Sequence, residues 1–145
     1  MAKFDKTKPH AFIDGSYNEK TNYYGWGGIL LENNNIHFIQ GKGNKKTEKT
    51  MRNVAGEINA ALSAVELAIE LRLDSITLLY DYNGISAWAN LEWARNNKVT
   101  ESYANKMQDY MNLIDINFVK VEAHTGVEGN EIADRLAKQA VDIKI

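Results

Sequence analysis

Asp14 closes the apolar pair Phe12-Ile13 in FIDGSYN, and Asp81 closes a second apolar run in ITLLYDYN. A strand that buries its apolar residues should not run into a carboxylate, because burying an unpaired one is expensive. If the two strands are neighbours, the carboxylates converge at their carboxyl ends, where open α/β sheets collect ligands. Like charges a few ångströms apart raise each other's pKa or recruit a cation. Two more acids come from segments with helical spacing. Glu57 lies one turn into its helix, just beside the apolar stripe, and Asp134, flanked by Ala133 and Ala137, stands in the same relation to the last helix. Four carboxylates, from two strand ends and two helix edges, make a hard-oxygen site suited to Mg²⁺ or Mn²⁺, whereas zinc prefers His or Cys. Each acid alone has a blander use. A strand-end aspartate caps a turn, and an acid in a helix's first turn, Asp134 included, complements the dipole. The combination of contexts favours the site.

His124 adds a titratable group. It lies in AHTGVEGNEIAD, on a Gly-containing loop that leads through Gly126, Gly129 and Asn130 to Asp134. A single loop histidine is most often a surface residue; here the same short segment links it to the acids. His10 and His37 read as ordinary structural or surface histidines.

The elements that must position these groups follow from periodicity. Residues 1–9 read as a polar leader or linker remnant ending at Pro9, and 10–145 as one domain. Strands are expected at 10–17, 24–31 and 36–41, the last two joined by Asn33-Asn34-Asn35, which tolerate positive φ in a hairpin. A Lys-rich loop spans 41–50. Val54, Ile58, Ala61, Leu62, Val65 and Ile69 then mark one face of a helix. A strand at 75–80, helices over 84–113 with a polar break at 96–98, and a strand at 116–121 come next. Ile132, Ala133, Leu136, Ala137, Ala140 and Val141 form the apolar face of a closing helix. That order implies an α/β fold, a mixed sheet with helices packed on its faces.

Composition narrows the function. The chain has 145 residues, 44% hydrophobic and 25% charged, enough for one good core. There is no cysteine, which excludes a disulfide framework, a thiolate zinc site and a cysteine nucleophile, and suits a reducing, cytoplasmic setting. No apolar run approaches a membrane span, and the charged N-terminus has no signal-peptide core. The net charge of −2 argues against a broad basic surface.

DGS at 14–16, RNVAGEINAAL at 52–62, LLYD at 78–81 and HTGVEGNEIADRLA at 124–137 together resemble the type 1 ribonuclease H family in order and spacing, over nearly the whole chain. The last segment is the most specific. The resemblance implies a ribonuclease H-like fold: a five-stranded mixed sheet, second strand antiparallel, helices on both faces. It implies metal ligands at Asp14, Glu57, Asp81 and Asp134, two Mg²⁺ (or Mn²⁺) bound with substrate, and His124 as a mobile residue assisting proton transfer or product release. It implies hydrolysis of the RNA strand of an RNA–DNA hybrid, leaving 5′-phosphate and 3′-hydroxyl ends. Asn53 stands where the family contacts the minor groove, with Gly15, Asn18 and Asn83 lining the same groove. The protein would be a monomer, free or attached to a hybrid-binding domain or polymerase. Alternatives are a non-catalytic hybrid-binding module, opposed by the intact acids and His124, and a resolvase or transposase core, opposed by the HTG…N…AD segment.

Three departures accompany the resemblance. YNEKTNYYG replaces a Gly-Asn-Pro turn, Tyr82 replaces a Ser after Asp81, and the region of the family's basic handle is short and only mildly charged. Trp88 and Trp93 within it read as buried anchors ahead of the alternative, packing on the DNA backbone. Lys42, Lys45, Lys46, Lys49 and Arg52 read equally as a basic patch or a solvated loop. The handle's loss predicts a weak grip on the DNA strand.

Overall fold

The computed structural model of the chain describes residues 4–122 and 128–144. The first three strands, β1 (His10–Asn18), β2 (Tyr23–Glu32) and β3 (Asn35–Gly43), form a meander. Asn33 and Asn34 take φ of 45° and 70° and make a two-residue turn, so the third asparagine pairs with Glu32 as the first residue of β3. Within the expected Lys-rich loop a short helix forms, α1 (Lys46–Lys49). Then come α2 (Asn53–Glu70), β4 (Ser75–Tyr80), α3 (Gly84–Ala89), α4 (Lys98–Met111), β5 (Asp115–Lys120) and α5 (Glu128–Ala140).

The sheet order is β3-β2-β1-β4-β5, with β2 antiparallel to both neighbours and β1, β4 and β5 parallel. The pleat sorts β1 between two cores. Ala11 and Ile13 enter the larger one with Val65 of α2, Leu78 of β4 and Met107 of α4. Phe12 enters the other, with Ile29, Leu79, Val121 and Ala133 of α5. Helices therefore cover both faces. Phe4 packs edge-on against Phe12 at 6.3 Å and joins the second core, so the leader is held to the sheet from that residue on.

One expectation needs correcting. Asp14 does not end its strand. β1 stays paired with β2 as far as Asn18, opposite Tyr23, while its parallel ladder with β4 runs only from His10 to Phe12. Asp14 thus stands in a notch where β4 has stopped. β4 ends there because the next two N–H groups, of Asp81 and Tyr82, donate to Glu57 Oε2 at 3.0 and 3.3 Å instead of to a strand.

The handle region is also different in detail. The polar break covers 90–97 and carries no helix. It ends at Asn97, whose Oδ1 accepts from Thr100 N at 2.9 Å and caps α4. Trp88 is buried as expected, but Trp93 is 42% exposed, because the chain around it leaves the core; the Trp88 and Tyr82 rings flank it. No helix among the described residues is long and apolar enough to cross a membrane.

The helices meet the sheet through bare backbone. A Cβ on Gly56 of α2 would lie 2.0 Å from the Gly25 carbonyl oxygen, and one on Gly27 would lie 2.4 Å from Ala133 O and Ala137 N of α5. This contact yields a prediction opposite in sign to helix propensity. In an exposed helix Gly→Ala gains about 1 kcal/mol. Gly56→Ala should instead lower the urea midpoint with the m-value unchanged, a net loss of about 1–3 kcal/mol, because the obstructing atoms are backbone and cannot rotate away. A stabilised variant would contradict the packing described here.

Candidate active site

Three elements deliver carboxylates to one point. Asp14 comes from the notch in β1, Glu57 from the second turn of α2, and Asp81 from the residue after β4. One oxygen of each lies within 4.8 Å of the others. Glu57 is only 2% exposed. It is fixed by its two N–H donors from Asp81 and Tyr82, so it cannot swing out to solvent. Asp14 is half-buried and accepts the Gly15 N–H at 2.8 Å.

Burial is the main cause of the electrostatics here. It pushes the Asp14 carboxyl up to about 7, with the charges of Asp81 and Asp134 adding to it against the Gly15 hydrogen bond. Glu57 is pushed up to about 8, again chiefly by burial and then by Asp81 and Asp14, against the two backbone donors. An all-oxygen cluster that resists being charged fits a hard divalent cation, which neutralises it without cysteine or histidine.

Asp134 stands beside the trio. It lies in the second turn of α5 rather than the first, since the described helix already begins at Glu128, so a dipole-capping use is excluded. Its carboxyl contributes charge and a hydrogen bond at Asp14, while Oδ2 pairs with Lys138 Nζ at 3.1 Å across one helical turn. Ala133 and Ala137 on either side are fully buried and let α5 seat on Gly27. His124 lies outside the described residues.

A cleft of about 320 Å³ opens next to the acids, lined by Gly15, Tyr17, Arg52, Asn53, Asp134 and Lys138 among others. Gly15 and Asn53 of the expected substrate contacts therefore line one cavity. Gly15 also has a packing role, because a Cβ there would meet Asn53 O at 2.1 Å. Asn18 is committed elsewhere: Nδ2 donates to Val141 O at 2.7 Å and Oδ1 accepts from Lys20 N at 2.9 Å, tying the end of β1 to the end of α5. Asn83 is exposed just ahead of α3 and does not line this cleft. Lys138 was not singled out from the sequence, although its i,i+4 spacing from Asp134 on a helix is a legible pairing signal. Arg52 read only as part of a basic patch. It sits at φ 54°, lies over the Tyr17 ring at 5.5 Å and pairs with Glu19 at 3.1 Å.

The RNase H family model matches residues 6–142. Ribonuclease H of Nitrosospira multiformis is 29% identical over 137 residues, covering 90% of this chain and 86% of that protein. Among solved structures, RNase H1 from the halophilic archaeon Halobacterium salinarum NRC-1 is similar with a TM-score of 0.76 at 22% identity, covering 93% of this chain and 98% of that one. LC11-RNase H1 in complex with an RNA/DNA hybrid is similar with a TM-score of 0.69 at 14% identity, covering 93% and 100%.

The raised carboxyls make stability depend on pH. The folded, metal-free protein keeps protons on Asp14 and Glu57 that the unfolded chain releases near pH 4. The stabilisation is whole below that value and is lost as pH rises through about 7 for Asp14 and about 8 for Glu57. In EDTA the melting temperature should fall across this window. Millimolar Mn²⁺, binding the folded form, should reverse the fall, and Asp14→Asn should be at least as stable as the parent chain in EDTA. A flat profile, or a melting curve unmoved by Mn²⁺ and shifted strongly by zinc, would contradict the electrostatics.

Proposed function

This chain belongs to the RNase H family, and we propose that it hydrolyses the RNA strand of RNA–DNA hybrids, leaving 5′-phosphate and 3′-hydroxyl ends. The observation that carries the reading is the convergence of Asp14, Glu57 and Asp81 within 4.8 Å in a chain matched to that family along almost its whole length. The hybrid seen in the LC11-RNase H1 structure supports the substrate class. The protein acts as a cytoplasmic monomer, alone or joined to a hybrid-binding or polymerase domain.

Asp14, Glu57 and Asp81, with Asp134 alongside, would hold two Mg²⁺ ions, Mn²⁺ being an alternative. Such cations would supply Lewis acidity for phosphodiester hydrolysis near neutral pH. The protein's own groups do the rest. Glu57, pinned by two N–H donors, gives the site a carboxylate of fixed orientation. The protons that burial keeps on Asp14 and Glu57 spare the site the full repulsion of its acids before cations arrive. Asn53 and Gly15 line the cleft where the minor groove settles, and 2′-hydroxyls there tell RNA from DNA. Lys138 holds the Asp134 carboxyl in place through its ion pair. His124 assists proton transfer or product release.

Cleavage of labelled hybrid beside single-stranded RNA, duplex RNA and duplex DNA tests the substrate class. Only the hybrid's RNA strand should be cut. Asp14→Asn or Asp81→Asn should abolish cleavage while the far-ultraviolet spectrum is unchanged, because the amide keeps the shape and loses the anionic ligand. Turnover at the parental rate by either variant would sink the ligand assignment. His124→Ala should lose about 10²–10⁴-fold in kcat, the usual worth of acid–base assistance, with Mn²⁺ affinity retained. Loss of that affinity would make His124 a ligand instead.

A further inference from the structure

The sheet ends in two edge strands, β3 and β5, and they are defended unequally. β5 has six residues and carries Asp115 and Lys120 at its ends. Shortness and charge are the usual protection of an edge, whose unpaired N–H and C=O groups otherwise template another strand. β3 lacks both. It runs for nine residues without proline, and Lys42 is its only Asp, Glu, Lys or Arg. Its pairing with β2 is one-to-one from Asn35 to Gly43, so no bulge twists the edge away.

The turn fixes which groups face out. Asn33 and Asn34 make a two-residue hairpin, so Glu32 and Asn35 flank it as a hydrogen-bonded pair. Counting on by twos, Asn35, His37, Ile39 and Gly41 spend their backbone groups on β2. Ile36, Phe38, Gln40 and Lys42 point theirs away from the sheet, and no backbone bond to them forms among the described residues. The same four residues turn their side chains to the α5 face. There Gln40 is held down, its Nε2 donating to Leu136 O and Gln139 Oε1 at 3.0 Å. Ile36 and Phe38 are 56% and 66% exposed, although Leu31 and Ile29, opposite them on β2, belong to the second core. An apolar row and a row of free backbone groups thus share one strand in one phase.

The occupant that matches both rows is the same strand of a second copy. Laid antiparallel about a dyad at Phe38, the two edges set Phe38 against Phe38 and Ile36 against Gln40. Residues with outward backbone groups then face each other throughout, and each opposed pair exchanges both its hydrogen bonds. The apolar side chains fall on one face, where opposed Cβ atoms sit about 4.5–5.5 Å apart. Charge allows this and favours no other partner. Lys42 falls opposite Asn34, so no like charges meet, and an acidic peptide would find a single cation on the strand. The area sets the strength. An aromatic side chain buries roughly 150–250 Å², so Phe38, two-thirds exposed, offers roughly 100–170 Å². Two copies of Phe38 and Ile36, with the paired main chains, bring the contact to about 1,000 Å², the low end for a specific interface. A weak dimer follows, with Kd in the micromolar range.

We propose that β3 is a self-association edge, through which two copies of this chain pair about a two-fold axis and join their five-stranded sheets into one. The contact uses the same edge of both copies, so it closes at the dimer and leaves only the defended β5 edges. No residue of β3 lines the cleft beside the acids, and both clefts stay open. The proposal is independent of the hybrid-nuclease reading. Dilute chain remains the monomer of that reading, and pairing sets in as its concentration rises.

The test is sedimentation equilibrium, from well below to well above the expected Kd, of the parent chain, Phe38→Lys, Phe38→Glu and an equimolar mixture of the two variants. The parent should pass from monomer to dimer and stop there. Each variant alone should stay monomeric with the parental melting temperature, since Phe38 belongs to neither core. The mixture should dimerise, because opposite charges then meet across the dyad. Amide exchange at Ile36, Phe38 and Gln40 should slow with concentration in the parent, while His37 and Ile39, already bonded to β2, should not change. A parent that stays monomeric throughout overturns the proposal and leaves the edge to a different chain. A dimer that survives in both variants, a mixture that stays monomeric, or a parent that grows past the dimer overturns it equally.

Discussion

Between α2 and the strands beneath it there is no room for a methyl group. A Cβ on Gly56 would lie 2.0 Å from the Gly25 carbonyl oxygen, and one on Gly15 would lie 2.1 Å from Asn53 O and 2.4 Å from Glu57 N. On the opposite face Gly27 does the same for α5. Ordinary helix-on-sheet packing puts two layers of side chains between backbones. Here the layer is missing at Gly15, Gly25, Gly27 and Gly56, and the functional groups gain the distance. Glu57, on the turn that touches Gly15, reaches the N–H groups of Asp81 and Tyr82. Asp134, on the turn that touches Gly27, reaches Asp14. The buried alanines of both helices, among them Ala55, Ala60, Ala133 and Ala137, serve the same approach.

The close approach has an electrostatic consequence. Carboxylates brought together in a partly dry notch are poor acids, and the raised proton affinities of Asp14 and Glu57 express that cost. A cation recovers it. The same interaction therefore weakens the empty protein at alkaline pH and drives metal uptake. The two N–H donors on Glu57 moderate the cost and also terminate β4, so one pair of hydrogen bonds shapes both the sheet edge and the site.

Much of this was legible in the sequence, and what was not has a common cause. Asp81 stood out because a charge ends an apolar run, and Glu57 because it lies just beside the apolar stripe of its helix. The hairpin was legible because Asn33 and Asn34 carry their own turn chemistry. The strand was read as far as Tyr17, but Asn18 looked like a turn residue and becomes strand by pairing with Tyr23. α1 was missed for the same reason: its four residues bury nothing, and Glu48 holds them through Tyr24 and Asn59. Asn18 reads as a groove residue until its amide is seen bonded to Val141, 123 positions away.

The account stands on the claim that burial and mutual repulsion of these acids are what a divalent cation relieves. Calorimetric titration of Mn²⁺, in buffers of different ionisation enthalpy, measures this directly by counting protons released on binding. With Asp14 at about 7 and Glu57 at about 8, binding at neutral pH should release about one to two protons, fewer as pH rises past both values, and Asp14→Asn should release fewer than the parent chain. Tight Mn²⁺ binding with no proton release at neutral pH, or release unchanged by Asp14→Asn, would contradict it.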